Sequence, residues 1–249
     1  MKMLIVCACI IAFVAAQDPA PGWLAYATAK CPPGTKITHM QAQWPVLSNP
    51  APSQAFYSPW FGIDASDNLN LLQPVNPWYG SDWLIYTEYY QWVPSYNQNS
   101  AMHQVNAGDR LLGQITYNGD TAHSYYLRQT DTTASKDSSQ TIAVQKDNNG
   151  NYKNFTIAYI VFEKVANCGD YPPDNKIVFS NIELYCSGQK VTPQWTTGVV
   201  DEVCNFQAKV IDPATVEITW DSSMAGPSKE QFARNDKGRQ TLKRPAKLI

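Results

Sequence analysis

The sequence contains few charged residues and few histidines. Charged residues make up 16% of the chain and the formal net charge is -2, whereas ordinary soluble domains contain about 25% charged residues. Nucleic-acid binding normally requires a basic surface, so this balance argues against that function. The three histidines, His39, His103 and His123, lie in unrelated contexts, which disfavours a histidine-based catalytic triad.

Several motifs that carry chemistry are also missing. The chain has no Gly-x-Ser-x-Gly, no His-Glu-x-x-His, no phosphate-binding loop and no Glu-x-Asp-x-x-Glu. Oxygen ligands for calcium are present at Asp64, Asp67, Asn68 and Asn70, but a polar hairpin loop explains the same residues. We therefore predict neither a metal nor a cofactor.

Long apolar runs are absent except at the start of the chain. Met1-Lys2 is followed by an apolar run from Leu4 to Val14, which is shorter than the ~20 residues of a membrane-spanning helix. Small residues at Val14-Ala15-Ala16 suit signal-peptidase cleavage. This predicts a signal peptide over 1–16, no membrane span, and a product that is secreted or held in an acidic vesicle.

Cysteine usage fits an oxidising compartment. Four cysteines follow the predicted signal peptide: Cys31, Cys168, Cys186 and Cys204. They lack Cys-x-x-Cys spacing and neighbouring histidines, so we predict two disulfides rather than a metal site. Three connectivities are open. The short interval between Cys186 and Cys204 favours that pair, which leaves Cys31 for Cys168.

The remainder of the chain divides into a main domain and a tail. We expect one domain over 17–221 and, over 222–249, a basic, disordered tail poor in apolar residues. Asn154-Phe155-Thr156 matches an N-glycosylation acceptor. Nothing in the sequence indicates an oligomer, and we expect a monomer.

Short strands separated by turn signals dominate the main domain, and no helical periodicity extends over three turns. Asn118-Gly119-Asp120 and Asn149-Gly150 are hairpin turns, and Asp131 to Gln140 is predicted as a polar loop. The principal predicted strands are Arg110 to Tyr117, Ser124 to Thr130, Thr156 to Val165, Lys176 to Tyr185, Phe206 to Ile211 and Thr215 to Trp220. This pattern predicts an all-β antiparallel sandwich or jelly roll.

Aromatic residues are abundant, with 8 Trp and 14 Tyr, and they are dense between Trp60 and Pro94. In an extended strand Tyr89 and Gln91 share one face with Trp83. By the same alternation Glu163 shares a face with Val161. This predicts a groove floored by Gln73, Gln91 and Glu163, with walls of Tyr89 and Trp92. Such a groove suits a polypeptide or an extracellular polysaccharide.

An ordered set of short motifs carries a family resemblance. The set comprises Trp60-x-Gly62-Ile63-Asp64, Leu72-Gln73, Tyr90-Gln91-Trp92-Val93-Pro94, Gly108-Asp109, Tyr159-Ile160-Val161-Phe162-Glu163 and Ile177-Val178-Phe179-Ser180-Asn181. In this order the motifs resemble those of the eqolisins, secreted glutamic peptidases known mainly from fungi. The likeness spans most of the chain after residue 16.

The resemblance implies a concanavalin-like sandwich and a catalytic pair of one glutamine and one glutamate. The family's glutamine falls on Gln73 and its glutamate on Glu163, while Trp60 and Asp64 fall on residues that support the groove. A glutamate with an ordinary pKa of ~4.3 is a general base only while ionised, so this chemistry suits acid media. A glutamine amide can stabilise the oxyanion that forms.

The sequence also departs from the family pattern. Gln91 replaces the glutamate of the usual Tyr-Glu-Trp, and Pro77 stands where an aspartate usually follows the catalytic glutamine. Little sequence separates Ala16 from the first strand, although the family is made with a propeptide. We therefore expect either an acid endopeptidase or, as the alternative, a secreted protein that binds polysaccharide or peptide without cleaving it.

Overall fold

The computed structural model describes residues 19–51 and 53–225. The predicted signal peptide, and the predicted tail beyond residue 225, lie outside these residues. Within them no helix is long and apolar enough to cross a membrane. Helical structure in the same residues consists of two short 3-10 segments, Cys168–Asp170 and Val203–Asn205.

Antiparallel strands form nearly all of the regular structure. In chain order they are β1 (Trp23–Lys30), β2 (Ile37–Pro45), β3 (Phe56–Ala65), β4 (Asn70–Val75), β5 (Trp78–Tyr79), β6 (Trp83–Gln91), β7 (Tyr96–Asn99), β8 (His103–Val105), β9 (Arg110–Tyr117), β10 (Ser124–Asp131), β11 (Lys136–Ala143), β12 (Phe155–Glu163), β13 (Lys176–Cys186), β14 (Gln189–Val191), β15 (Thr196–Val199), β16 (Gln207–Asp212) and β17 (Thr215–Thr219).

The strands form two sheets, and the predicted antiparallel β-sandwich is confirmed. The first sheet has the order β15-β1-β12-β3-β4-β6-β5, with β7 and β8 also paired to β6. The second has the order β11-β10-β9-β2-β13-β17-β16, with β14 paired to β13. The long aromatic strands of the sequence therefore lie side by side at the centre of the first sheet.

A large apolar core fills the space between the sheets. Phe61 from the first sheet lies 5.8 Å, centroid to centroid, from Trp44 of the second, and Trp44 lies 5.3 Å from Phe179. A Cβ atom at Gly113 would approach Phe61 Cε1 to 2.4 Å. The absence of a side chain at residue 113 thus lets the two sheets approach closely at this point.

Both predicted disulfides are present, but the favoured pairing is wrong. Cys31 pairs with Cys186, and Cys168 pairs with Cys204, with Cα–Cα separations of 5.8 and 5.3 Å. Cys31 follows β1 of the first sheet and Cys186 ends β13 of the second, so this bond joins the sheets. Proximity in sequence was a poor guide because strand order, not chain interval, decides which cysteines meet.

The predicted polar loop from Asp131 to Gln140 is largely strand. Strand β10 continues to Asp131, and β11 pairs with it from Lys136 to Ala143. In β11, at the edge of the second sheet, only Ser138 and Ile142 are buried, so the strand needs few apolar residues. The polar composition of β11 therefore led to the prediction of a loop.

Candidate active site

The first sheet has an apolar cluster on the face that points away from the second sheet. This outer-face cluster consists of Ala20, Trp23, Trp60, Leu71, Val75, Tyr86, Ile157, Tyr159 and Val161. Side chains two residues apart on a strand point the same way. Gln73 lies between Leu71 and Val75, and Glu88 and Glu163 follow Tyr86 and Val161 at that interval. All three therefore belong to the outer face.

Gln73 is a buried amide on β4, a strand that is buried along its whole length. The register of β4 against β6 places Gln73 opposite Glu88. Its Nε2 donates a hydrogen bond of 2.5 Å to Glu88 Oε2, while its Oε1 is buried and has no hydrogen-bond partner among the described residues. The bond to Glu88 thus uses one of the two hydrogens of the Gln73 amide.

Glu88 is itself buried and accepts two amide hydrogen bonds. Gln73 donates to Oε2, and Asn97, from the exposed strand β7, donates to Oε1. Burial and, to a lesser extent, the charge of Glu163 raise the pKa of Glu88 above its ordinary value; the bonds from Asn97 and Gln73 and the charge of Lys164 oppose this rise. Burial and the neighbouring charge of Glu163 thus both favour the protonated form of Glu88.

Glu163 is the last residue of β12, and its side chain is only 12% exposed. Its Oε1 lies 3.1 Å from Lys164 Nζ. Lys164 adopts a left-handed φ of 77°, a conformation that is uncommon for residues other than glycine. Strand β12 therefore ends at Glu163, directly before this left-handed residue.

One strand, β3, lies between the two predicted catalytic residues, since its neighbours are β12 and β4. Gln73 and Glu163 are thus in the same sheet and on the same face. Gly62 of β3 lies beside the glutamine, because a Cβ atom there would approach the backbone oxygen of Leu72 to 2.6 Å and Gln73 Cβ to 3.1 Å. The glycine of the Trp60-x-Gly62 motif thus leaves space for the backbone of β4 and for Gln73 Cβ.

Trp60 and Asp64, predicted to support the groove, are both fully buried on β3. The Trp60 ring packs edge to face on Trp23, with centroids 5.2 Å apart. Asp64 Oδ1 accepts a 3.2 Å bond from the backbone amide of Asn70. These contacts support the β3–β4 pair that carries Gln73.

The predicted groove floor requires a correction at Gln91. Tyr89 is part of the core between the sheets, and its hydroxyl donates a 2.6 Å hydrogen bond to Gln91 Oε1. Asn70 also donates to that oxygen. Trp83 and Ile85 belong to the same core, so the odd-numbered residues of β6 face inward. Tyr89 and Gln91 therefore do not line the outer face.

The even-numbered residues of β6 face outward instead. Tyr90 and Trp92 pack against the outer-face cluster, and their ring centroids lie 4.9 Å apart. Trp92 is thus on the predicted side, whereas Glu88 was missed by the sequence analysis. A usable signal was present, since an acid between Tyr86 and Tyr90 in a strand rich in aromatic residues is unusual unless the acid is paired.

Surface cavities occur away from this site. One, of about 290 Å³, is lined by residues that include Asp82, Gln104 and Asn106, and another, of about 320 Å³, by residues that include Lys36 and Asn154. Among residues 19–51 and 53–225, no cluster of three or more histidine, cysteine, aspartate or glutamate side chains could hold a metal ion. Neither cavity is lined by Gln73, Glu88 or Glu163.

Solved structures share this architecture. Scytalido-glutamic peptidase, solved with a peptide-based transition-state analogue, matches with a TM-score of 0.58 and 18% identity, over 81% of this chain and 98% of that chain. SCP-B, a member of the eqolisin family solved with the tripeptide Ala-Ile-His, matches with a TM-score of 0.55 and 16% identity over the same shares. These matches establish that the fold is the sandwich of glutamic peptidases.

The sequence comparison then identifies the family. Residues 24–215 match the model of the Peptidase A4 family, and the chain belongs to that family, the eqolisins. No significant match was found among curated protein sequences. The resemblance drawn from the short motifs is thereby confirmed at the level of family and fold.

Proposed function

We propose that this chain is a secreted endopeptidase that acts in acid media with Gln73 and Glu163 as its catalytic pair. The observation that carries the proposal is that Gln73, Glu88 and Glu163 share the outer face of one sheet. Gln73 is bonded to Glu88, and the pKa of Glu88 responds to the charge of Glu163. Membership of a peptidase family supports a polypeptide substrate.

In the proposed reaction the Glu163 carboxylate removes a proton from water, and the water oxygen bonds to the carbonyl carbon of the peptide. The carbonyl oxygen becomes an oxyanion, to which the Gln73 amide donates a hydrogen bond. The carbon–nitrogen bond then breaks, and Glu163 returns its proton to the leaving amine. Because the amide does not titrate, Gln73 can donate throughout the acid range; losing one such donor typically costs ~3–4 kcal/mol of barrier stabilisation.

The lost glutamate at residue 91 was the main reason to consider a binding protein without activity. Gln91 does not face the site, and Glu88 supplies a buried carboxylate to the outer face. Secretion is part of the proposal and is supported by two disulfides, which are typical of oxidising compartments. Asn154 is exposed, as a glycosylation site must be.

The test is cleavage of a denatured protein by the purified mature chain between about pH 2 and pH 5, the range around the ordinary carboxyl pKa. We expect cleavage by the unaltered chain and loss of cleavage in Glu163→Gln. Glu217→Gln, the same substitution on β17 of the second sheet, is the matched control and should cleave normally. Absence of cleavage by the unaltered chain, or equal cleavage by Glu163→Gln, would overturn the proposal.

A further inference from the structure

Glu88 is a buried acid with no role in the reaction as written. Two amides donate to it, one from Gln73 of β4 and one from Asn97 of β7, so that each carboxylate oxygen accepts one bond. A buried charged group is costly unless its oxygens are hydrogen-bonded.

The partner that Glu88 would orient is Gln73. Both oxygens of the Glu88 carboxyl accept hydrogen bonds, one from Gln73 and one from Asn97, so the nitrogen of the Gln73 amide, and not its oxygen, faces Glu88. The bond therefore fixes which end of the amide is the donor. Since the amide nitrogen carries two hydrogens and Glu88 takes one, the second remains for an oxyanion.

We infer that Glu88 is a positioning residue that holds the Gln73 amide with its free N–H directed toward the reacting carbonyl. The inference rests on the proposed function and extends it to a residue that the family resemblance did not indicate. It also explains how the site can operate with a glutamine at residue 91. Glu88 lies on the outer face because it is an even-numbered residue of β6, like Tyr86 and Tyr90.

Kinetics of Glu88→Gln provide the first test. The substituted amide has a single oxygen for two donors, so the Gln73 orientation is no longer fixed. Because misplacing a catalytic group by about 1 Å can cost ~10²-fold, we expect kcat to fall about 10- to 100-fold while KM changes little. Glu88→Asp, which keeps the carboxylate, should recover part of the loss. Glu183→Gln on β13 of the second sheet is the matched control and should match the unaltered chain.

A second measurement does not depend on activity. The side-chain amide signals of Gln73, assigned by their loss in Gln73→Ala, can be followed by NMR. A hydrogen bond to a carboxylate should shift one of the two protons downfield in the unaltered chain, and Glu88→Gln should return it to the range of the other glutamines. An unchanged Gln73 signal in folded Glu88→Gln overturns the inference.

The two readouts separate the inference from the proposed function. Cleavage with unchanged kcat in Glu88→Gln would refute the positioning role and leave the peptidase intact. No cleavage by the unaltered chain, together with the expected NMR shift, would support the Glu88–Gln73 geometry and refute the peptidase. The fold of each variant is checked by its thermal unfolding, so that loss of structure is not read as loss of positioning.

Discussion

Gly62→Ala tests the packing that places the amide in the site. A Cβ atom at residue 62 would lie 2.6 Å from the backbone oxygen of Leu72 and 3.1 Å from Gln73 Cβ, whereas non-bonded carbon contacts are most favourable at about 3.5–4.0 Å. The nearer atom belongs to the backbone of β4 and cannot rotate away. The alanine must therefore push β4 away from β3, and Gln73 moves with it.

The expected cost follows from that displacement. Overpacking a close-packed site costs about 1–3 kcal/mol, and each kcal/mol lowers Tm by about 2–4 °C in a domain of this size. A shift of about 1 Å in Gln73 would lower kcat by ~10²-fold. Gly169→Ala is the matched control, because its Cβ would lie 4.0 Å from the nearest atom and should change neither quantity.

Calorimetry and steady-state cleavage assays measure the two effects of Gly62→Ala separately. The packing account requires both a lower Tm and a lower kcat, with Gly169→Ala unchanged in each. If Gly62→Ala has the Tm and kcat of the unaltered chain, the close approach of β3 to β4 does not position Gln73 and the reasoning fails.

Two further predictions concern stability. The raised pKa of Glu88 means that the folded chain holds the Glu88 proton more tightly than the unfolded chain. The stability that Glu88 contributes is therefore fully present below the unfolded pKa and is lost as pH rises through the folded pKa. Relative to Glu88→Gln, the unaltered chain should lose Tm between mildly acid and neutral pH, and parallel Tm curves would contradict this; the neighbouring ionisable groups Glu163, Lys164, Tyr86 and Tyr90 are common to both chains. The Cys31–Cys186 bond spans 155 residues and Cys168–Cys204 spans 36, so in the chain-entropy account replacing the first pair by alanine should cost about 1 kcal/mol more than replacing the second; denaturant unfolding showing the reverse order would refute that account.

The β-sandwich could be predicted because turn signals in the sequence mark the ends of its strands. Arg110–Tyr117 was predicted with its observed bounds, since Asn-Gly and Gly-Asp turns mark both ends. Residues 136–140 of β11 were predicted as loop because they are polar and only Ser138 among them is buried. The disulfide pairing depends on strand order, which local sequence does not encode.

The candidate site was predictable only in part. The order of motifs pointed to Gln73 and Glu163, and the structure places both on the outer face. The alternation of side chains on β6 could be predicted, but the sequence of the strand does not decide which set of alternate residues faces the second sheet. The wrong choice selected Gln91 and passed over Glu88, whose two amide partners come from different strands.

The central claim is that Gln73 and Glu163 act on the same peptide bond, and a double-mutant cycle on kcat tests it most directly. The measurement compares the unaltered chain, Gln73→Ala, Glu163→Gln and the double variant on one peptide substrate at acid pH. Catalytic groups that act as a unit are strongly non-additive, so we predict that the double variant loses little more activity than Glu163→Gln alone. A double variant whose loss equals the product of the two single losses would contradict the claim.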